Sequence, residues 1–216
     1  MKDLRKEVKN VRRDYNSGQL NESEMPNNPF DVLHDWLRTA LDEKIKEPNA
    51  FTISTVVDRQ PDSRVVLLRD VSDDGLIFYT NYGSKKSKDL KENNLVAVNF
   101  FWVELGRQVR IKAKVEKLDA KQSDDYFASR PRESQLGAWA SNQSEDLESR
   151  DRLEKSLAAF KEKFENTNEI PRPDFWGGYL IVPSQFEFWQ GRSSRLHDRI
   201  SYEKAGDDWK MKRLYP

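Results

Sequence analysis

Five stretches of the chain combine residue types that bind anions or hydrogen-bond a ring. In SRVVLLRD, residues 63–70, Arg64 and Arg69 bracket an apolar strand centre. Their opposite parity sends them to opposite faces of an extended chain unless it twists or bends, so they suit two different anions. Solvated edge charges are the more ordinary reading of that pair taken alone. In YTNYGSKKSK, residues 79–88, Ser84, Lys85 and Lys86 stand where a strand gives way to a helix. Backbone N–H groups at a helix N-terminus, a hydroxyl and two ammonium groups together suit a phosphate, with a solvated Lys-rich turn as the equal alternative. GRQVR, residues 106–110, opens a strand with Gln108, whose amide both donates and accepts and so suits a heteroaromatic edge, although exposed strand amides are commoner. YFASRPRESQLGAWASNQS, residues 126–144, reads as a loop that crowds Tyr126, Arg130, Arg132, Ser134, Gln143 and Ser144 around the apolar Leu136 to Trp139. Arg offers bidentate geometry to a phosphate dianion, while a surface loop anchored by a Trp carries equal weight. FWGGYLIVPSQFEFWQGRSSRLHDR, residues 175–199, holds Trp176, Trp189, Arg195, His197 and Arg199. A neutral imidazole can hydrogen-bond a substrate, but a lone His is more often structural, so the neighbourhood carries the suspicion. His34, on the polar side of a helix, receives no role.

These residues need a scaffold, and the hydropathy pattern supplies one. From Asp31 the apolar positions Val32, Leu33, Trp36, Leu37, Ala40, Leu41 and Ile45 recur at helical spacing, with Pro48 beyond the end. AFTISTVV, SRVVLLRD and LIFYTN are β-branched or aromatic runs separated by DRQPD and VSDDG, which predicts antiparallel strands joined by tight turns. SKKSKDLKENN reads as a short polar helix. LVAVNFFWV and RQVRIKAKVEKL resume the strands, the second alternating Val109, Ile111, Ala113 and Val115 with Arg110, Lys112, Lys114 and Glu116. Residues 119–165 return to helical composition, and GYLIVPSQFEFWQG, RLHDRISYEK and DWKMKRLYP close the chain as strands. The organisation expected is an N-terminal arm over residues 1–28 and one domain over 29–216.

Composition narrows the function classes. With Lys+Arg 37 and Asp+Glu 37 the chain is neutral overall, against a protein held mainly by a nucleic-acid backbone. No Cys excludes disulfides, Cys-ligated metals and thiol catalysis, and two His leave little for a His-rich metal site. Charged residues at 34% suggest disorder, but 11% aromatics require a packed core. No apolar run approaches the ~20 residues of a bilayer span, which predicts a soluble, cytoplasmic protein.

VRRDY, SRVVLLR, FYTNYGSKK, RQVR, YFASRPRESQLGAWAS, NQS, FWGG, EFWQGR and RLHDR, in this order and spacing, resemble the pyridoxine/pyridoxamine 5'-phosphate oxidases from about residue 11 to the C-terminal KRLYP. The resemblance implies an α+β fold, a split β-barrel with peripheral helices. It also implies a homodimer with FMN held noncovalently at the interface by residues of both subunits. It implies FMN phosphate on Arg64, Ser84, Lys85 and Lys86, and a cofactor lined by Val65, Val66, Leu67, Leu68, Arg69, Tyr79 and Thr80. Gln108, Gln143, Ser144, Trp189 and Arg199 would address the ring or other parts of FMN. The implied substrates are pyridoxine 5'-phosphate and pyridoxamine 5'-phosphate, with their phosphate on Arg69, Tyr126, Arg130 and Ser134. Arg195, Leu196 and His197 would meet the pyridine ring, Arg195 and His197 as the catalytic pair. Arg12, Arg13, Asp14 and Tyr15 match a segment that closes as a lid. The implied reaction is hydride transfer from C4' to flavin N5, giving pyridoxal 5'-phosphate. Dioxygen then reoxidises the flavin to give hydrogen peroxide, and ammonia leaves from the amine. No metal, nucleic acid or membrane partner is expected. Two positions depart from the family pattern: Arg69 where relatives often carry Lys, and Lys85 where they often carry Arg, changes that keep charge and alter donor geometry. The alternatives are another enzyme on the same barrel, which would lack RLHDR and RPRES, and a noncatalytic carrier of pyridoxal 5'-phosphate or of single-stranded nucleic acid.

Overall fold

The computed structural model describes residues 4–11, 13–15 and 18–216. These form two compact units, one from residues up to Pro48 with Phe100–Arg110 and Gln185–Pro216, the other from Asn49–Asn99 and Ile111–Ser184.

In the first unit, helix α1 (Leu4–Asn10) buries no residue. Helix α2 (Pro29–Asp42) starts where the Asn28 side chain accepts the Phe30 N–H at 3.1 Å, with Pro29 at the first helical position. It ends before Ile45, earlier than its apolar spacing predicts. Lys44 turns left-handed at φ 54, and the Ile45 N–H returns to the Ala40 carbonyl at 2.9 Å, a closing turn that usually employs glycine and so is hard to foresee at a Lys. The buried face of α2 sets Phe30 and Trp36 edge-on against Phe186 and Phe188 of strand β7 (Trp176–Gln190). Strand β8 (Asp198–Ala205) pairs antiparallel with this stretch and with β9 (Asp208–Leu214).

In the second unit, β1 (Ala50–Val57) and β2 (Gln60–Leu67) form a hairpin whose two-residue turn, Asp58 and Arg59, has positive φ at both positions, the twist-matched geometry of tight hairpins. The strand begins earlier than expected, taking in Gln60, Pro61 and Asp62, which sequence alone assigns to a turn. Pro61 is tolerated because β2 is an edge strand, at the end of the order β2-β1-β5-β6-β7-β4-β3. The remaining strands of that order are β3 (Asp70–Ser72), β4 (Gly75–Asn81), β5 (Leu95–Trp102) and β6 (Arg107–Lys117). Val109, Ile111, Ala113 and Val115 of β6 are buried and the residues between them exposed, as their alternation predicts. Helix α3 (Lys85–Glu92) follows β4.

Residues 126–140 are mostly helical and only 141–144 remain irregular, where a loop was expected throughout. Pro131 separates helix α4 (Ala120–Ser129) from α5 (Arg132–Ala140), and α6 (Arg150–Lys163) follows. Gly137 lowers the intrinsic preference of α5, and packing outweighs it: Leu136 joins Phe127, Phe164, Ile170 and Trp176 in a buried cluster. No helix among the described residues is long and apolar enough to cross a membrane.

Candidate functional site

The second unit contains two cavities with a common wall of Arg69, Tyr79, Thr80 and Gln143. The first, about 530 Å³, is lined by the strand residues Arg64, Val65, Val66 and Leu67 and by Lys85, Lys86 and Ser144, with Asp62 and Ser63 at the start of the same strand. The second, about 430 Å³, adds Tyr126, Arg130, Ser134 and Trp176.

Arg64 and Arg69 meet one cavity despite their opposite parity because the strand does not persist between them. The Leu68 N–H donates to Asn49 O at 2.8 Å, and one residue later the Arg69 N–H donates to Ile77 O of β4 at 2.8 Å. The chain changes partner there and resets its faces. Leu68 itself is buried and does not line the cavity.

The cations of the first cavity are held in a dense set of bonds. Arg64 Nη1 donates to Thr55 Oγ1 at 2.9 Å and to Ile53 O at 3.3 Å, while Nη2 donates to Asp62 Oδ2 at 2.7 Å. Lys85 Nζ lies 3.1 Å from both Asp89 oxygens and 3.3 Å from Asp62 Oδ2, and these carboxylates raise its pKa. Lys86 Nζ donates to Thr80 Oγ1 and Gln143 Oε1 at 3.0 Å and to Ser84 Oγ at 3.2 Å. Burial, with the Arg64 charge second, pushes the Lys86 ammonium down to about 8. Ser84 precedes α3, so the free N–H groups of that helix start beside the two lysines.

Aromatic rings build the second cavity. Tyr79 and Tyr126 stack at 3.8 Å between centroids, and Tyr79 lies 5.5 Å from the Trp176 ring, inclined to it by 9°. Gly178 permits this: a Cβ there would come within 2.8 Å of the Tyr79 ring. Burial raises Tyr79 to about 12, so it keeps its proton at neutral pH. The Arg130 guanidinium sits 4.5 Å over the Trp176 ring, and its Nη1 is buried without an acceptor. Such a donor is costly to leave unmatched, and burial lowers the pKa of this guanidinium.

The first unit carries the other expected residues. His197 Nδ1 accepts the Arg192 N–H at 3.0 Å, which leaves Nε2 to carry the proton of a neutral ring. The imidazole lies 4.6 Å from Trp189, and Tyr15 meets both rings edge-on. Gly191 makes room, since a Cβ there would fall 2.5 Å from the Tyr15 ring. Arg13 lies 5.2 Å over Tyr15, and Asp14 Oδ1 accepts the Tyr15 N–H. Arg195 and Leu196 are exposed, and Arg195 adopts φ 62. Arg199 donates from Nε to Glu187 Oε1 at 3.0 Å and from Nη1 to Tyr215 O at 2.8 Å. Gln108 is half-buried near the start of β6. Arg12 lies outside the described residues. Sequence reasoning missed Asp62, Asp89 and Glu187; the period-two spacing of Asp62 and Arg64 was the available signal for the first.

The family described as "Pyridoxamine 5'-phosphate oxidase" matches residues 37–164, more than half of the chain. The chain belongs to the pyridoxamine 5'-phosphate oxidase family. A further match, "Pyridoxine 5'-phosphate oxidase C-terminal dimerisation region", covers residues 176–216, the stretch that holds β7, β8 and β9. Among curated members of the pyridoxamine 5'-phosphate oxidase family, the chain is 50% identical over 211 residues to the pyridoxine/pyridoxamine 5'-phosphate oxidase of Trichormus variabilis, covering 97% of this chain and 98% of the relative. It is 45% identical over 210 residues to the protein of the same name from Actinobacillus pleuropneumoniae, covering 97% and 100%. Among solved structures, PhzG from Burkholderia lata in complex with tetrahydrophenazine-1-carboxylic acid matches with a TM-score of 0.87 at 30% identity, over 94% of this chain and 100% of that one. The expected α+β architecture of antiparallel strands with peripheral helices is the one observed, and PhzG shares this fold.

Proposed function

We propose that this protein is an FMN-dependent oxidase that converts pyridoxine 5'-phosphate and pyridoxamine 5'-phosphate to pyridoxal 5'-phosphate, working as a homodimer with FMN at the subunit interface. The observation that carries the proposal is the pair of cavities with a common wall, each with its own cations: Arg64, Lys85 and Lys86 in one, Arg130 with the shared Arg69 in the other. Two phosphoesters, one of the cofactor and one of the substrate, suit that division. The buried Arg130 Nη1, a donor in need of an acceptor, supports an anion in the second cavity. When bound, FMN supplies the redox chemistry: it accepts the C4' hydrogen at N5 and is reoxidised by dioxygen to give hydrogen peroxide.

The chain's own residues bind and orient. Arg64, Lys85 and Lys86, with Ser84 behind them, hold the FMN phosphate. Residues 64–67, Arg69, Tyr79 and Thr80 line the cofactor, and Gln108, Gln143, Ser144, Trp189 and Arg199 address its ring or other parts of it. Arg69, Tyr126, Arg130 and Ser134 hold the substrate phosphate, and the flat Tyr79 ring limits where its pyridine can lie. Arg195, Leu196 and His197 meet that ring, with His197 Nε2–H as a hydrogen-bond donor. Fixing two rings in register is the main catalytic contribution, since orientation replaces a bimolecular encounter. Residues 1–28 act as an arm over the domain of residues 29–216, with Arg12, Arg13, Asp14 and Tyr15 as a lid that excludes water.

The test is an oxygen electrode with peroxide detection on the yellow, flavin-loaded protein. Both phosphorylated vitamers should consume oxygen with stoichiometric peroxide, and ammonia should appear only with the amine. A fully FMN-loaded preparation inert toward both overturns the proposal.

A further inference from the structure

The cation set of the first cavity holds two carboxylates in different circumstances. Asp89 is buried and accepts Thr55 Oγ1 at 2.7 Å as well as Lys85 at 3.1 Å, so it ties α3 to β1. Asp62 has a side chain 40% exposed, lines the open cavity, and reaches Arg64 Nη2 and Lys85 Nζ through one oxygen, Oδ2, at 2.7 and 3.3 Å. Asp62 and Arg64 are two residues apart on β2, and so share a face of the strand, opposite Thr55 and Ile53 of β1. The Lys85 ammonium holds the Asp62 carboxyl below its ordinary pKa, so the charge is present at neutral pH.

Other donors of these cations are engaged as well. Arg64 Nη1 faces Thr55 Oγ1 and Ile53 O, and Lys86 faces Thr80, Ser84 and Gln143. A phosphate oxygen that bridges Arg64 and Lys85 needs the place that Asp62 Oδ2 occupies. It must displace this carboxylate or lie against it, and either lowers its affinity. Displacement is feasible because Asp62 stands at the rim, where water can solvate it.

We infer that Asp62 is a built-in counter-anion of the phosphate subsite, displaced by the cofactor phosphate and setting how tightly that cofactor is held. The inference rests on the proposed FMN reading of the cavity. It makes the cofactor more exchangeable than the number of nearby cations suggests.

The full-length chain, stripped of flavin, is titrated with FMN and with riboflavin, which lacks the phosphate, by quenching of flavin fluorescence. The expected result is that Asp62→Asn and Asp62→Ala both bind FMN about three- to tenfold more tightly than the wild type, with riboflavin affinity unchanged. Unchanged or weaker FMN binding in both variants overturns the inference, because Asp62 then orients Arg64 and Lys85 instead of competing for them. If the wild type binds FMN no better than riboflavin, the phosphate subsite itself is misassigned, and that failure is visible before any variant is made.

Discussion

Arg64 and Arg130 both line cavities walled by Tyr79, yet their surroundings are opposite in kind. Arg64 is surrounded by acceptors, two of them carboxylates. Arg130 lies over Trp176 and keeps a buried Nη1 with no acceptor. One guanidinium is neutralised before any ligand arrives; the other is desolvated and left in need of one. A bound anion therefore gains less at Arg64 than at Arg130, because at the first it replaces existing bonds and at the second it supplies a missing one. This pattern suits a resident cofactor that must be loaded and a substrate that must be caught at each turnover.

The sharpest way to break the comparison is Arg130→Met, which keeps an apolar stem over Trp176. It should lower kcat/KM for pyridoxine 5'-phosphate roughly 100-fold while leaving FMN retention intact, measured by steady-state oxygen uptake and flavin absorbance. Loss of flavin in that variant would show that the two cavities do not divide the two phosphates. Arg64→Ala should act in the opposite direction, weakening FMN by about 30-fold in a fluorescence titration, while the reloaded enzyme keeps its substrate KM. A larger effect at Arg64 than at Arg130 would invert the argument.

The pH response sharpens the cofactor side. Lys86 has its pKa depressed to about 8 in the empty site, and phosphate binding favours the charged amine. The ammonium is present below that value and lost above it, so FMN affinity should fall as pH rises, roughly tenfold between pH 7 and 9. Lys86→Met should remove that slope. The smallest effect expected is at Tyr126→Leu, which removes a stacked ring worth about 1 kcal/mol and should raise substrate KM about fivefold with the FMN titration unchanged.

The strand that carries Arg64 and the lysine turn at Ser84 were legible as residue types, because period-two alternation and a Ser-Lys-Lys helix start are local signals. What was not legible depends on distant partners. Arg64 and Arg69 were expected to diverge, and they converge because the chain leaves β1 for β4 at Leu68, a change of neighbour that parity does not encode. The segment around Arg130 read as a loop because Pro131 and Gly137 oppose helix, whereas burial of Phe127 and Leu136 in one cluster decides the outcome. Asp62 was passed over within a turn-like DRQPD, and only the early start of β2 turns it toward the lysine helix. His197, Trp189 and Tyr15 were named as candidates, but edge-to-face contact among them is a tertiary fact.

Gly178 has a wider reach than its size suggests. By leaving the Tyr79 ring free to lie flat, it shapes the partition common to both chambers. Remodelling either chamber for a bulkier guest through Tyr79 thus disturbs the other. Ser134 and Gly137 line only one of the two chambers, so substitutions there leave the lining of the other unchanged.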